Sequence, residues 1–154
     1  MRFVVPKLFL GSVLLAGSVC QQAIAAPVPT AVNQEIETLL RIEDLEIRGA
    51  KILTQAILQE IYQGHEFKPF WTRPERIREL VTLISDSADH GLTPADYNLD
   101  QLKSTLQLLE AFPANEIQAE TDIMLTESLL RYGYHRRFGK VKASSLDPDI
   151  NLRR

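Results

Sequence analysis

Residues 115–138 read NEIQAETDIMLTESLLRYGYHRRF and decide the fold. Their apolar side chains fall on more than one face of a helix instead of along a single stripe. These residues are Ile117, Ile123, Met124, Leu125, Leu129, Leu130, Tyr132 and Phe138. A helix that is apolar on several sides is usually surrounded by other elements. The sequence therefore predicts a long helix at the centre of a domain, with Gly139 as its stop.

Two shorter helices are predicted in the first half of the chain. Asn33 is a candidate cap for the first, and the second is expected over 51–63. The apolar pattern breaks between them, at 47–49. Gly64 is placed to end the second helix in a left-handed conformation. One long bent helix is the alternative interpretation of the same pattern.

The best-specified helix follows Thr72-Arg73-Pro74-Glu75, which has the form of a capping box with proline in the first turn. Gly91 is expected to stop it. Residues 93–96 repeat the start signal for a single turn, and Asp100 is a candidate cap for a helix over 101–111. No β-alternation is evident. The sequence therefore predicts an all-α fold, a compact helical domain of about five helices with a long central C-terminal helix.

Residues 1–25 have the form of a secretory signal peptide. Two basic residues precede an apolar stretch over 8–17, and small residues before the bond after Ala25 suit a signal peptidase. The apolar stretch is shorter than the roughly 20 residues that span a bilayer, so a transmembrane anchor is the less favoured alternative. We therefore expect an exported, periplasmic protein with no stable membrane anchor.

The rest of the chain suits one domain of modest size. We predict an exposed leader at 26–32, a helical domain at 33–139 and a linker or tail at 140–154. The single cysteine, Cys20, lies in the predicted signal peptide, so the mature chain would form no disulfide. The formal net charge of −3 argues against nucleic acid as a partner, because phosphate binding needs clustered Lys and Arg.

The sequence offers no convergent catalytic or metal-binding pattern. The three histidines, His65, His90 and His135, fall in different predicted elements, whereas a zinc site needs ligands that converge. No serine stands in a glycine-flanked elbow. The acids at 120, 122 and 127 leave one alternative open, an autonomous wall hydrolase that uses a carboxylate pair. We expect no metal, no cofactor and no catalytic residue in this chain.

Eight residues are instead candidates for structural or interface roles. They are Tyr62, Phe70, Trp71, Asp122, Arg131, Tyr132, Arg136 and Arg137. Asp122 shares a helix face with apolar residues, so its carboxylate needs a backbone amide, a tyrosine hydroxyl or an indole N–H as partner if it is buried. The basic residues near the helix end suit the helix dipole, and they could also meet an acidic partner domain.

Three stretches occur in an order and spacing that are typical of one family. They are IYQGHEFKPFWT at 61–72, ADHGLTPADY at 88–97, and DIMLTESLLRY at 122–132, which continues through FGKV at 138–141 to LDP at 146–148. Together they resemble the N-terminal scaffold domain of large murein L,D-transpeptidases. This resemblance covers roughly residues 60–151.

The resemblance implies a periplasmic enzyme family that forms 3→3 cross-links between peptidoglycan stem peptides. In full-length members, the scaffold is followed by a peptidoglycan-binding module and by a catalytic domain with a His and a cysteine nucleophile motif. Neither module is present in these 154 residues, so no catalytic residue can be carried over. We expect a truncated, non-catalytic scaffold domain. Its expected partner is the catalytic domain of an L,D-transpeptidase or a similar periplasmic protein, with peptidoglycan as a further candidate.

A stand-alone exported module is the alternative from a different functional class. Such a module would bind the cell wall or a partner protein through the aromatic segment at 67–71. Aromatic side chains in a segment of this kind more often fill a core than form a ligand platform. The role of Trp71 distinguishes the two interpretations, because a core residue supports folding and a platform residue supports binding.

Overall fold

The computed structural model describes residues 30–140. Its α-helices are α1 (Ala31–Leu40), α2 (Gln55–Gly64), α3 (Pro74–Ser85), α4 (Leu99–Ala111) and α5 (Asn115–Phe138). Two short 3-10 helices, Asp86–His90 and Pro94–Tyr97, connect α3 to α4, and two short strands, β1 (Glu46–Ile47) and β2 (Ala50–Lys51), lie between α1 and α2. The predicted all-α class with five helices is confirmed. The predicted signal peptide, residues 26–29 of the predicted leader and residues 141–154 of the predicted tail lie outside the described residues.

The long helix α5 is the central element, as predicted. It contacts all four other α-helices, and its bounds agree with those expected from the sequence. Every residue from Thr121 to Ser128 is buried. Eight consecutive buried residues cover more than two turns, so the helix is enclosed on all sides over this length.

The chain enters the core earlier than predicted. Thr30 caps α1, since its side-chain oxygen accepts the N–H of Asn33, which itself lies inside the helix. Val32 and Asn33 are both buried. The predicted cap at Asn33 is therefore wrong, and so is the extension of the exposed leader to residue 32. The physical reason is that Thr30 already supplies the hydroxyl that the first turn needs.

The break at 47–49 is a tight β-hairpin. Glu46 pairs with Lys51, and Ile47 pairs with Ala50, in antiparallel register. The turn residues Arg48 and Gly49 have φ angles of 49° and 78°, which two-residue hairpin turns require. The expectation of a chain without β-structure missed this hairpin, because two-residue strands are too short to show alternation. The alternative of one long bent helix is excluded.

Gly64 ends α2 as predicted, but it does not adopt the predicted left-handed conformation. Gly64 is the last residue of α2, and the left-handed residues are Glu66 and Phe67, with φ angles of 56° and 54°. The Phe67 N–H donates to the carbonyl oxygen of Tyr62 at 2.8 Å, and the Phe67 ring packs against the core. The turn therefore coincides with the partly buried Phe67 and not with the glycine.

Two predicted helix caps are also wrong. Thr72 forms no capping box, because Arg73 is the residue before α3 and no side chain caps that end. Proline does occupy the first turn of α3 as predicted. Asn98, with a φ angle of 54°, precedes α4 in place of Asp100, which lies in the first turn. In each case, the preceding chain reaches the helix along a path set by packing.

Replacing Ile36 by Ala tests whether α1 is an integral part of the domain. Ile36 is fully buried on the helix that packs against α5. We expect Ile36→Ala to lower the free energy of unfolding by about 3 kcal/mol, because the variant leaves a cavity in the core. Urea unfolding followed by circular dichroism measures this. Ile42→Ala is the matched control, since Ile42 is 48% exposed, and its free energy of unfolding should fall by less than about 0.5 kcal/mol. Equal effects of the two variants would contradict the assignment of α1 to the core of the domain.

Candidate functional site

Four of the predicted residues meet at one buried carboxylate. Asp122 is 2% exposed. Its Oδ1 accepts the Tyr62 hydroxyl at 2.6 Å and the Phe70 N–H at 3.0 Å, and its Oδ2 accepts the Trp71 N–H at 2.9 Å. The predicted amide and tyrosine partners of Asp122 are confirmed. The indole N–H of Trp71 instead donates to Thr126 at 2.9 Å, and we call these five residues the Asp122 cluster.

The local chain conformation explains why Asp122 is needed. Pro69 keeps the residues after α2 from being helical, so the N–H groups that follow it have no helical partner. The carboxylate on α5 accepts two of them. Burial raises the pKa of Asp122 above its ordinary value, and the hydrogen bonds from Tyr62 and the backbone oppose that rise. Burial and the charge of Asp122 raise the pKa of Tyr62, so its hydroxyl remains a donor.

The aromatic side chains of the cluster are held by internal contacts. The Phe70 ring stacks on His65 with centroids 4.4 Å apart, and it meets the Tyr62 ring edge-on at 5.0 Å. Trp71 packs against the core and donates both of its N–H groups within the domain. These contacts support a core role for Trp71. Phe70 is exposed, whereas Trp71 is half-buried.

Glu127 forms a second anchor that the sequence analysis did not identify. It is fully buried, and it accepts the N–H of Leu53 at 3.0 Å, the N–H of Thr54 at 3.1 Å and the Thr54 hydroxyl. Arg131 lies 3.8 Å away, one turn further along α5. Glu127 thereby fixes the start of α2 on α5. A carboxylate near the first N–H groups of a helix is also favoured by the helix dipole.

The two anchors lie on different faces of α5. Asp122 and Glu127 are five positions apart, which places them roughly 140° from each other around the helix axis. Asp122 faces the aromatic segment, and Glu127 faces the start of α2. The only sequence signal for Glu127 was its place in the most apolar part of the last helix, since its partner Thr54 is more than seventy residues away.

The remaining predicted residues lie toward the C-terminal end of α5. Tyr132 is buried, and its ring meets that of Tyr97 edge-on at 5.6 Å. Arg136 and Arg137 are exposed, and the Arg137 guanidinium carbon lies 5.8 Å from the centre of the Phe138 ring. The eight candidates therefore do not form one site. Four join the Asp122 cluster, and the rest are distributed around the end of α5.

An open groove of about 420 Å³ runs between the start of α2 and the last turns of α5. We call it the α2–α5 groove. Its lining residues are Leu53, Thr54, Ile57, Leu130, Arg131, Tyr134 and His135. Two of them, Thr54 and Arg131, also contact Glu127. The second anchor therefore helps to position the residues that line the groove.

A family model described as a scaffold domain matches residues 56–154. The chain belongs to this scaffold-domain family. No curated protein and no solved structure matches the chain. The matched residues of the scaffold domain include the whole Asp122 cluster and all of α5, whereas α1 and the hairpin precede the match. The resemblance to a scaffold domain is thus confirmed at the level of the family.

The three histidines of the scaffold domain lie in three different environments. His65 stacks on Phe70, His90 ends the first 3-10 helix, and His135 Nδ1 lies 3.0 Å from the Tyr97 hydroxyl. Within residues 30–140, no group of three or more His, Cys, Asp or Glu side chains is placed to hold a metal ion. In the same part of the chain, no helix combines the length and the apolar character that crossing a membrane requires.

Replacing Asp122 by Ala should destabilise the scaffold domain strongly. Three donors, the buried Tyr62 hydroxyl and two partly buried N–H groups, would lose their acceptor, and we expect the free energy of unfolding to fall by about 3 kcal/mol. Urea unfolding, followed by the fluorescence of Trp71, measures the loss. The matched control is Asp89→Ala, because Asp89 is exposed in the first 3-10 helix, and its effect should stay within about 0.5 kcal/mol. A similar loss in both variants would contradict the anchoring role of Asp122.

The stability of the domain should depend on the protonation of His135. Partial burial, together with the positive charges of Lys140 and Arg131, lowers the pKa of His135 below its ordinary value of 6.5. The unfolded chain therefore binds this proton more readily, so the free energy of unfolding should fall as the pH falls from 6.5 through the folded-state pKa. Denaturation at a series of pH values checks this. His135→Gln should remove this part of the dependence, and an unchanged profile would count against it.

Proposed function

We propose that this chain is the non-catalytic scaffold domain of a periplasmic L,D-transpeptidase, an enzyme that forms 3→3 cross-links in peptidoglycan. In this role it supports cell-wall remodelling only together with a catalytic domain. The family match over 56–154 carries the scaffold part of the proposal. The transpeptidase part is supported by the resemblance of the three stretches at 61–72, 88–97 and 122–132.

The contacts among these three stretches favour a structural role for the domain. Tyr62 of the first stretch bonds to Asp122 of the third. The Ser128 hydroxyl, also in the third stretch, donates to the carbonyl oxygen of Tyr97 in the second at 2.8 Å. The residues that carry the resemblance are therefore used to hold one another inside the domain. A rigid helical body of this kind is suited to positioning another domain.

The two buried carboxylates of α5 argue against the alternative of an autonomous hydrolase. Hydrolysis of a glycosidic bond uses two acids that flank the bond from opposite sides. Asp122 and Glu127 each accept three hydrogen bonds from this chain and point to different faces of α5. The carboxylate oxygens of both acids accept hydrogen bonds from backbone N–H groups and side-chain hydroxyls. Both acids therefore hold segments of the chain in place.

The periplasmic part of the proposal rests on residues 1–25. Their basic start, apolar stretch and small residues before the bond after Ala25 are typical of a signal peptide. Export would bring the domain to the compartment in which peptidoglycan is cross-linked. Replacing the positive start or the apolar stretch should retain the chain in the cytoplasm, as cell fractionation would reveal.

A binding measurement tests the proposed function directly. The chain is titrated into the isolated catalytic domain of an L,D-transpeptidase that naturally carries a scaffold domain of this family, and heat release is followed by calorimetry. We expect saturable binding with one copy of each partner and a higher rate of 3→3 cross-linking of stem peptides. The Asp122→Ala variant is the control, since its loosened domain should bind more weakly.

Two outcomes would contradict this proposal. One is the absence of binding to any such catalytic domain. The other is binding of the chain alone to purified sacculi that is lost in a folded Trp71→Ala variant. The second result would favour the stand-alone wall-binding module, with the aromatic segment as its platform.

A further inference from the structure

We propose that the α2–α5 groove is the surface through which this domain holds its partner, and that its occupant is an amphipathic helix with acidic residues along its edges. The identification of that helix as part of an L,D-transpeptidase catalytic domain rests on the proposed function. The shape and charge of its binding surface rest on the described residues alone.

One wall of the groove has the spacing that receives a helix. That wall carries Leu130 and Tyr134, four residues apart on α5, and the other wall carries Leu53, which precedes α2, and Ile57 of α2. A row at this spacing on a helix forms a ridge against which side chains of a second helix pack. Helix-in-groove recognition uses apolar anchors at the matching spacing on the ligand. The groove therefore fits a helix better than an extended peptide.

The apolar side chains of the groove are unusually exposed for their size. Leu53 is 59% exposed, Ile57 is 51% exposed and Tyr134 is 61% exposed. Phe138 continues the row of Leu130 and Tyr134 by another turn of α5, and its ring lies 4.9 Å from that of Tyr134. Contiguous exposed apolar surface of this kind marks an interaction site. Covering it with a partner helix would remove these side chains from water.

The charge around the groove determines the character of the occupant. After Glu127, α5 contains no acidic residue but carries Arg131, Arg136 and Arg137, although the chain as a whole has a net charge of −3. Arg136 and Arg137 form no ion pair with another residue in the described range 30–140. Arg131 lines the groove, and Arg137 lies beside Phe138 at the end of the same row, so the positive charge next to these apolar side chains is complementary to a helix with acidic flanks.

The first experiment compares groove variants in the calorimetric titration with the catalytic domain. Ile57→Asp places a charge on the groove wall and should weaken binding at least about tenfold. Leu83→Asp is the matched control, because Leu83 is exposed on α3 and does not line the groove, and its affinity should equal that of the unchanged chain. Tyr134→Ser is a second groove variant in case Ile57→Asp fails to fold, which circular dichroism will reveal.

The second experiment tests the charge of the rim. Arg137→Glu should weaken binding and reduce its dependence on salt, because a favourable charge contact is lost. Arg78→Glu on α3 is the control and should change neither property. A photo-crosslinking benzoylphenylalanine at position 134 should attach to a helix of the catalytic domain that carries acidic residues. Attachment to a strand or loop, or to a basic surface, would overturn the assignment of the occupant.

The outcomes separate this inference from the proposed function. If the unchanged chain binds and the Ile57→Asp and Tyr134→Ser variants bind equally well, the groove assignment is overturned while the proposed function stands. Failure of the unchanged chain to bind would overturn both. A homodimer in analytical ultracentrifugation that Ile57→Asp dissociates would assign the groove to a second copy of this chain and would also overturn the inference.

Discussion

The whole domain depends on two carboxylates that one helix presents to parts of the chain outside helices. Asp122 accepts the N–H groups of Phe70 and Trp71, and Glu127 accepts those of Leu53 and Thr54. Buried N–H groups need acceptors, and irregular segments cannot supply them internally. Because both acids are on α5, that helix sets the position of α2 and of the aromatic segment together. The domain is organised around α5, whose mostly apolar buried surface includes these two carboxylates.

This arrangement also determines the shape of the exposed surface. Glu127 holds Leu53 and Thr54 against α5, and Leu53 is one of the groove-wall residues. The apolar side chains on the outside are therefore positioned by a polar contact on the inside. Buried polar contacts of this kind cost desolvation, but they are directional in a way that apolar packing is not. The polar contacts of the core therefore also set the geometry of the groove.

Predictions from the sequence were accurate where a local pattern or a buried polar group allows few structural arrangements. The bounds of α5 followed from its apolar residues and from Gly139, and the partners of Asp122 followed from the need to satisfy a carboxylate on an apolar face. The hairpin at 46–51 was missed because its strands are too short for a periodic signal. Thr72 has the local form of a cap, but packing of the preceding segment leaves it unused. The contact between Thr54 and Glu127 depends on which elements cross α5, and local spacing carries no information about that.

The position of α5 in the chain has a consequence for the order in which the domain forms. The anchors join residues that are between 51 and 74 positions apart, and the acceptors come last. During synthesis, the start of α2 and the aromatic segment leave the ribosome well before either carboxylate exists. Until then their N–H groups bond to water, and their apolar neighbours lack the surface that covers them. The growing chain therefore reaches its native packing only when its final described helix is complete.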